Sequence, residues 1–241
     1  MQAVQRHLRW EGAFNVRDLG GLRTRDGGRT RCGRIVRADG LDGLTAHGWQ
    51  AALAHGVRTV VDLRNDDEIV RDAAPRPRAI TTVHVPLDGI EDREFWDAWS
   101  SGPQVGTPLY FRPHLERFPE RSARVLTAIA RAEPGAVAVH CGSGRDRTGM
   151  VALLLLTLAG VEPDEIAADY ALSAERLPAR YAARGEDDIT AVLATFLARR
   201  GTTAERVLSE TLEGLDVADL LQAHGLAAAD VDALRRRLLA P

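Results

Sequence analysis

Ala136-Val137-Ala138-Val139-His140 is an unbroken, almost wholly apolar run of strand length. Such runs form strands buried on both faces, which occur inside parallel sheets covered by helices. The residues that follow tighten the constraint. A loop with two glycines, Cys141 to Asp146, leads into Met150–Ala159, a nearly continuous apolar stretch. Strand, tight loop and buried helix make a βα unit, which needs parallel neighbours.

The chain supplies those neighbours. Ile35-Val36-Arg37-Ala38, Val57 to Leu63 and Ile80 to Val85 read as strands, rich in β-branched residues. Thr45 is placed to cap a helix running to about His55, and Asn65 or Asp66 to cap a short acidic helix. Phe95, Trp96 and Trp99 fall on a short aromatic helix, and Glu120–Glu133 is an amphipathic one. The glycine-punctuated residues 1–33 read as loop and turn. Alternation of this kind predicts an α/β fold with a central, largely parallel sheet flanked by helices. From Pro163 onward the pattern is helical. One domain over residues 1–241 is expected, its C-terminal part a helical extension packed on the sheet and ending in helices at about 216–241.

Composition removes several classes. Every one of the 31 basic residues counted with Lys is Arg. A nucleotide-binding P-loop needs a Lys on the phosphates, and Schiff-base catalysis needs one as nucleophile. The GxxxxG of Gly144–Gly149 is followed by Met150, so it is not a P-loop. A net charge of −3 gives no electrostatic footprint for nucleic acid, and Arg235-Arg236-Arg237 reads as a solvated helical face. The seven His residues show no ligand spacing, so neither a metal nor another cofactor is expected. Met1–Trp10 has no apolar signal-peptide core, and Met150–Ala159 falls short of the roughly 20 residues a membrane span needs.

The chemistry concentrates in His140-Cys141-Gly142-Ser143-Gly144-Arg145-Asp146-Arg147-Thr148. A helix N-terminus offers free N–H groups and partial positive charge to an anion. Two glycines let the backbone curl so that its amides converge. Arg147, at the helix start, has the planar fork that holds two phosphate oxygens at once. Cys141 opens the loop, where helix and guanidinium favour its thiolate. A thiolate under a phosphate cradle suits phosphoryl transfer through a cysteinyl-phosphate. The Thr148 hydroxyl is placed to stabilise the sulfur as it leaves, and His140 to order the loop.

Cys141-x5-Arg147-Thr148, preceded by His140, resembles the signature of the protein tyrosine phosphatase superfamily. Three further stretches resemble motifs of its bacterial tyrosine/serine phosphatase branch, in order. These are Phe14-Asn15-Val16-Arg17-Asp18-Leu19-Gly20-Gly21, Asp62-Leu63-Arg64 and Asp169-Tyr170-Ala171-Leu172-Ser173. The resemblance, closest in kind to mycobacterial-type lidded phosphatases, implies metal-free, two-step hydrolysis of phosphate monoesters, a catalytic core over about 14–173 and a helical lid, for which the helices at about 177–215 are the candidates. Protein phosphotyrosine is the leading substrate; phosphoserine/threonine and phosphoinositides are the alternatives. It implies Cys141 as nucleophile and Gly142, Ser143, Gly144, Arg145, Asp146 and Arg147 as the phosphate loop.

The general acid stays open. The window Leu109–Arg121, where many phosphatases of the superfamily carry an Asp, holds only Glu116 and Glu120. The resemblance implies Asp146; Asp62 is the second candidate, with Asp88 and Asp92 third. Arg145 has two readings, a second cation for polyanionic substrates or simply the cation this composition supplies. Cys32 reads as incidental rather than as a resolving thiol. Trp96 and Trp99 read as packing rather than as walls of a phosphotyrosine pocket. Two other classes compete: a phospho-binding pseudophosphatase, which usually lacks the Cys or the Arg, and a rhodanese-type sulfurtransferase, against which Arg147-Thr148 argues. A phosphorylated protein or phosphoinositide is the expected partner, with no nucleic acid and no integral membrane segment. A cytoplasmic location is the default, although relatives of this kind include proteins exported without a recognisable signal. Nothing in the sequence sets an oligomeric state.

Overall fold

The computed structural model describes residues 6–239; Met1–Gln5 of the segment read for a signal peptide, and Ala240-Pro241, lie outside the described residues. Five strands form one sheet: β1 (Arg17–Asp18), β2 (Ile35–Ala38), β3 (Val57–Asp62), β4 (Thr81–His84) and β5 (Ala136–His140). Their order is β1-β2-β5-β3-β4, with β5 central. β2, β5, β3 and β4 run parallel. Only β1, in the stretch read as loop, is antiparallel, pairing Arg17 with Arg37 and Asp18 with Val36. Two residues are too few for periodicity to reveal.

The two faces of β5 divide its side chains. Val137 and Val139 join one core with α4 (Pro119–Ala130) and α5 (Arg147–Leu158). Ala136 and Ala138 join a second core with Trp49 and Ala52 of α1 (Ala46–Ala54). All five β5 residues are buried, and each such valine contributes roughly 1.5–3 kcal/mol of burial. Thr45 caps α1 by accepting from the Gly48 amide at 3.2 Å. The acidic turn after β3 is a single 3-10 turn over Asp66–Glu68. α2 (Arg93–Trp99) and α3 (Phe111–Arg117) follow β4.

Beyond α5 the chain is helical: α6 (Pro163–Arg184), α7 (Thr190–Arg199), α8 (Ala204–Leu212), α9 (Val217–Ala223) and α10 (Ala228–Leu238). No described helix is long and apolar enough to cross a membrane. Ala38, His140 and Asp62 share one register level, and His84 pairs with Asp62. The loops leaving β2, β5, β3 and β4 therefore emerge together at the carboxyl edge of the sheet, where open α/β sheets bind ligands.

Two buried histidines make this fold acid-sensitive. Burial holds His140 and His114 down at about 4. Each stays neutral in the folded chain while its unfolded counterpart takes up a proton near pH 6.5. Over pH 6.5 to 4 the unfolded state binds more protons, so stability falls as pH falls, by up to about 3 kcal/mol per histidine. Asp39 acts in the opposite sense, since burial raises its carboxyl to about 6. The two histidines outweigh it. Urea unfolding at pH 7 and pH 4 is expected to show a net loss of about 3 kcal/mol, which nearly vanishes in the His140→Gln variant, where the remaining histidine and Asp39 offset one another. Equal stability at both pH values would contradict this balance.

Candidate active site

The β5–α5 loop closes around one sulfur atom. Cys141 is 1% exposed. Its Sγ accepts from the Gly144 amide at 3.3 Å and from the Thr148 hydroxyl at 3.1 Å. Gly144 has φ +70°, and a Cβ there would lie 2.5 Å from the Ala38 carbonyl oxygen, so the loop lies flush on the end of β2. The Ser143 hydroxyl accepts from the Arg145 amide at 3.3 Å. Gly142 faces the tip of Arg147, its would-be Cβ 3.8 Å from Nη2. His140 is fully buried, its Nδ1 3.3 Å from the Cys141 carbonyl oxygen.

Arg147 is the first residue of α5. Its fork is held by two acids from neighbouring loops. Glu68 takes both terminal nitrogens: Nη2 donates to Oε1 at 2.6 Å, and Nη1 donates to Oε2. Nη1 also donates to Asp88 Oδ2 at 3.1 Å. These partners raise the proton affinity of Arg147 against burial, which opposes it. Among the described residues no hydrogen bond engages its Nε–H, so one edge of the guanidinium remains for an oxyanion. Glu68 was not foreseen. Asn65-x-x-Glu68 is a capping-box pattern, and the Asn65 amide does donate to Glu68 at 2.9 Å. That local signal says nothing of a partner 79 residues away.

The carboxylates proposed as acids separate. Asp62 is bound by the Arg64 amide at 3.1 Å and by the Arg64 guanidinium at 2.9 Å, and the Arg64 contacts and His140 hold it below its ordinary value despite burial. Asp92 caps α2 through the Phe95 amide and pairs with Arg117, which lowers it as well. Asp146 pairs with Arg145 Nε at 3.1 Å. Asp88 touches Arg147 and accepts from Asn65 Nδ2 at 2.9 Å, yet burial raises its carboxyl. Glu116 pairs with Arg112 on α3, and Glu120 lies exposed in the first turn of α4.

Trp96 packs edge-on against Phe95, with ring centroids 5.1 Å apart. Its Nε1 donates to the carbonyls of Asp88 at 3.2 Å and Gly89 at 3.1 Å. The aromatic helix thus braces the loop that carries Asp88, and Trp99 packs against Phe95 and the larger core. Arg145 turns away from the sulfur, with Nη1 3.5 Å from the Tyr181 hydroxyl. It lines a cavity of about 270 Å³ among α6, α7 and α8, with Tyr170, Ala194 and Leu197. Cys32 is a free, exposed thiol. Among the described residues no group of three or more His, Cys, Asp or Glu side chains is placed to hold a metal ion.

A parallel sheet whose central strand delivers a buried cysteine into a loop, with an arginine opening the next helix, defines the cysteine-loop class of α/β proteins. The chain belongs to the tyrosine phosphatase family, whose sequence profile matches residues 8–240. It is 35% identical to a tyrosine-protein phosphatase of Nostoc commune over 145 residues, 59% of this chain and 49% of the relative. A putative tyrosine-protein phosphatase of Cupriavidus necator is 31% identical, over 70% of this chain and 63% of its own. The triple specificity protein phosphatase PtpB of Mycobacterium tuberculosis is 29% identical, over 69% of each. The chain thus spans about half the length of the first of these and under two thirds of the second. Among solved structures, Pseudomonas aeruginosa TpbA in complex with pTyr aligns with 80% of this chain and 87% of its own, at TM-score 0.38 and 16% identity.

Proposed function

We propose that the protein hydrolyses phosphate monoesters without a metal, through a cysteinyl-phosphate on Cys141, with protein phosphotyrosine as its main substrate. The observation that carries this reading is the Cys141 sulfur, buried and accepting two hydrogen bonds in the loop that leads into Arg147 at the start of α5. The relatives, named as tyrosine-protein phosphatases, support the substrate class, and the triple specificity of PtpB keeps wider specificity as the second reading.

In this mechanism the substrate phosphate lies on the loop amides and the Nε edge of Arg147. Cys141 Sγ attacks phosphorus and the bond to the leaving oxygen breaks. A carboxylic acid gives that oxygen its proton. We assign this role to Asp88 ahead of Asp146, because Asp88 stands against Arg147 and burial raises its carboxyl above the ordinary value, the direction that favours the acid form. Asp146 stays the alternative: it stands inside the loop, and its side chain makes no cap bond to α5. Water then attacks the phosphocysteine, the carboxylate takes its proton, and the sulfur leaves as thiolate while Thr148 donates to it. The end of α6 with α7 and α8 forms the lid, and Arg145 supports it through Tyr181.

Purified protein is expected to hydrolyse p-nitrophenyl phosphate in EDTA, with a pre-steady-state burst of nitrophenolate. A panel of phosphotyrosine peptides, phosphoserine peptides and phosphoinositides ranks the substrates. Lack of metal-free hydrolysis, with thiosulfate:cyanide transfer instead, would overturn the reading. The acid is tested by leaving group. Asp88→Asn is expected to lose on the order of 10²-fold on phenyl phosphate but much less on p-nitrophenyl phosphate, whose leaving group hardly needs a proton. The same pattern in Asp146→Asn, and not in Asp88→Asn, would move the role to Asp146.

A further inference from the structure

The phosphate loop is gripped from behind through its carbonyl oxygens. Gly142 O accepts from the Gly40 amide at 2.9 Å. Ser143 O accepts from Asn15 Nδ2 at 3.0 Å. Gly144 O accepts from Arg37 Nη2 at 2.7 Å, and the same nitrogen is 3.5 Å from Arg145 O. Four successive carbonyls thus have donors outside the loop. In a planar trans peptide the C=O and the next N–H point in opposite directions. Fixing carbonyls 142 to 145 therefore fixes the amides of Ser143, Gly144, Arg145 and Asp146 on the other side. The Gly144 amide, which donates to Cys141 Sγ, shows that this other side is the side of the sulfur.

The two side-chain donors are themselves anchored. Arg37, on β2, is 1% exposed and donates through Nη1 to Asp169 Oδ2 at 2.7 Å. Asn15 is fully buried, and its Oδ1 accepts from Arg17 Nη1 at 2.6 Å. Arg17 Nε donates to Asp169 Oδ1 at 3.1 Å, and Arg6 adds a third guanidinium to the same carboxylate. One buried acid on α6 therefore holds three arginines from the N-terminal part of the chain.

We infer that Asn15 and Arg37 are positioning residues: by holding the carbonyls of Ser143 and Gly144 they aim the loop amides at the oxyanion. The inference rests on the proposed phosphatase reading. Among the described residues these are the donors from outside the loop that hold the carbonyls of peptide planes 143–144 and 144–145, and a flipped plane would present a carbonyl oxygen to the phosphate. Asp169 acts one step further back, by orienting Arg37.

The test reads oxyanion affinity apart from turnover. Tungstate binding is measured by calorimetry on the full chain, beside p-nitrophenyl phosphate kinetics and thermal unfolding. Arg37→Met leaves Asp169 paired with Arg6 and Arg17. It is expected to weaken tungstate binding and kcat/KM together by on the order of 10²-fold, the scale of losing an oxyanion donor. Asn15→Asp, which puts an acceptor opposite Ser143 O, is expected to cost at least about tenfold in both. Arg6→Met removes a cation from the same carboxylate but touches no loop carbonyl, and keeps wild-type tungstate affinity. If folded Arg37→Met and Asn15→Asp bind tungstate as tightly as wild type, the inference is wrong. If Arg37→Met does not fold, Asn15→Asp decides alone. If Arg6→Met loses as much affinity as the other two, the cluster acts through general stability and the inference also fails. Wild-type protein that neither binds tungstate nor hydrolyses p-nitrophenyl phosphate would overturn the phosphatase reading, a result distinct from unaltered binding in the variants.

Discussion

Cys141→Ser is expected to lower metal-free hydrolysis of p-nitrophenyl phosphate by at least about 10⁴-fold, the scale on which a covalent nucleophile is lost. The loop stabilises an anion on sulfur with two donors, the Gly144 amide and the Thr148 hydroxyl. A serine hydroxyl does not ionise at neutral pH, and no base stands ready to take its proton. His140 is adjacent in sequence, yet its Nδ1 faces a carbonyl and its Nε2 has no hydrogen-bond partner. The cradle itself does not depend on sulfur, so the Ser variant is expected to bind tungstate within a few-fold of wild type. Activity and anion affinity measured on the same preparation check both halves. Residual turnover above a few per cent of wild type would mean that Cys141 is not the nucleophile.

Arg147→Lys is the second large effect, a loss of on the order of 10³-fold in kcat/KM. The guanidinium has two jobs that use different donors. Its terminal nitrogens are occupied by Glu68 and Asp88, and its remaining edge is what a phosphate meets. An ammonium is a point charge that cannot keep both acids on one side and two phosphate oxygens on the other. Drawn onto Glu68, it leaves the oxyanion short of a partner. Arg145→Lys tests the contrast. Arg145 bonds Asp146 and faces Tyr181 and the helices of the lid, so its replacement is expected to keep most activity on a small substrate. Equal losses in the two variants, by steady-state kinetics, would refute this division of labour.

The strand–loop–helix unit was legible because each part carries a local signature. β5 is apolar at nearly every position, the glycines mark the loop, and α5 is buried on all sides. Thr45 was legible as a cap for the same reason, since its contact spans three residues. Contacts between distant loops were not. Glu68 on Arg147 and Arg37 on Gly144 O depend on which strands lie side by side, and the order β1-β2-β5-β3-β4 has no local trace. Charged side chains are the extreme case. Arg17, Arg37 and Asp169 are buried, against the ordinary preference of their types, and only mutual pairing makes that burial affordable. The motifs around Asn15 and Asp169 are visible in the sequence, while the hydrogen bonds that join them through Arg17 behind the loop appear only in three dimensions.

The three guanidinia on Asp169 also set an order of events in synthesis. Asn15 and Arg37 reach the loop across 128 and 107 residues, and Arg6 reaches Asp169 across 163. Contacts so distant in sequence form late, because long segments of chain must first be brought together. The strand–loop–helix unit ends at Leu158, and Asp169 follows closely on α6. Chains truncated before Asp169 are expected to turn over no substrate, with activity appearing only in those that include α6. Purified truncations of successive length would show a step in activity near that residue, and a gradual rise from residue 150 onward would contradict it. The loop is thus made before the helix that anchors its support.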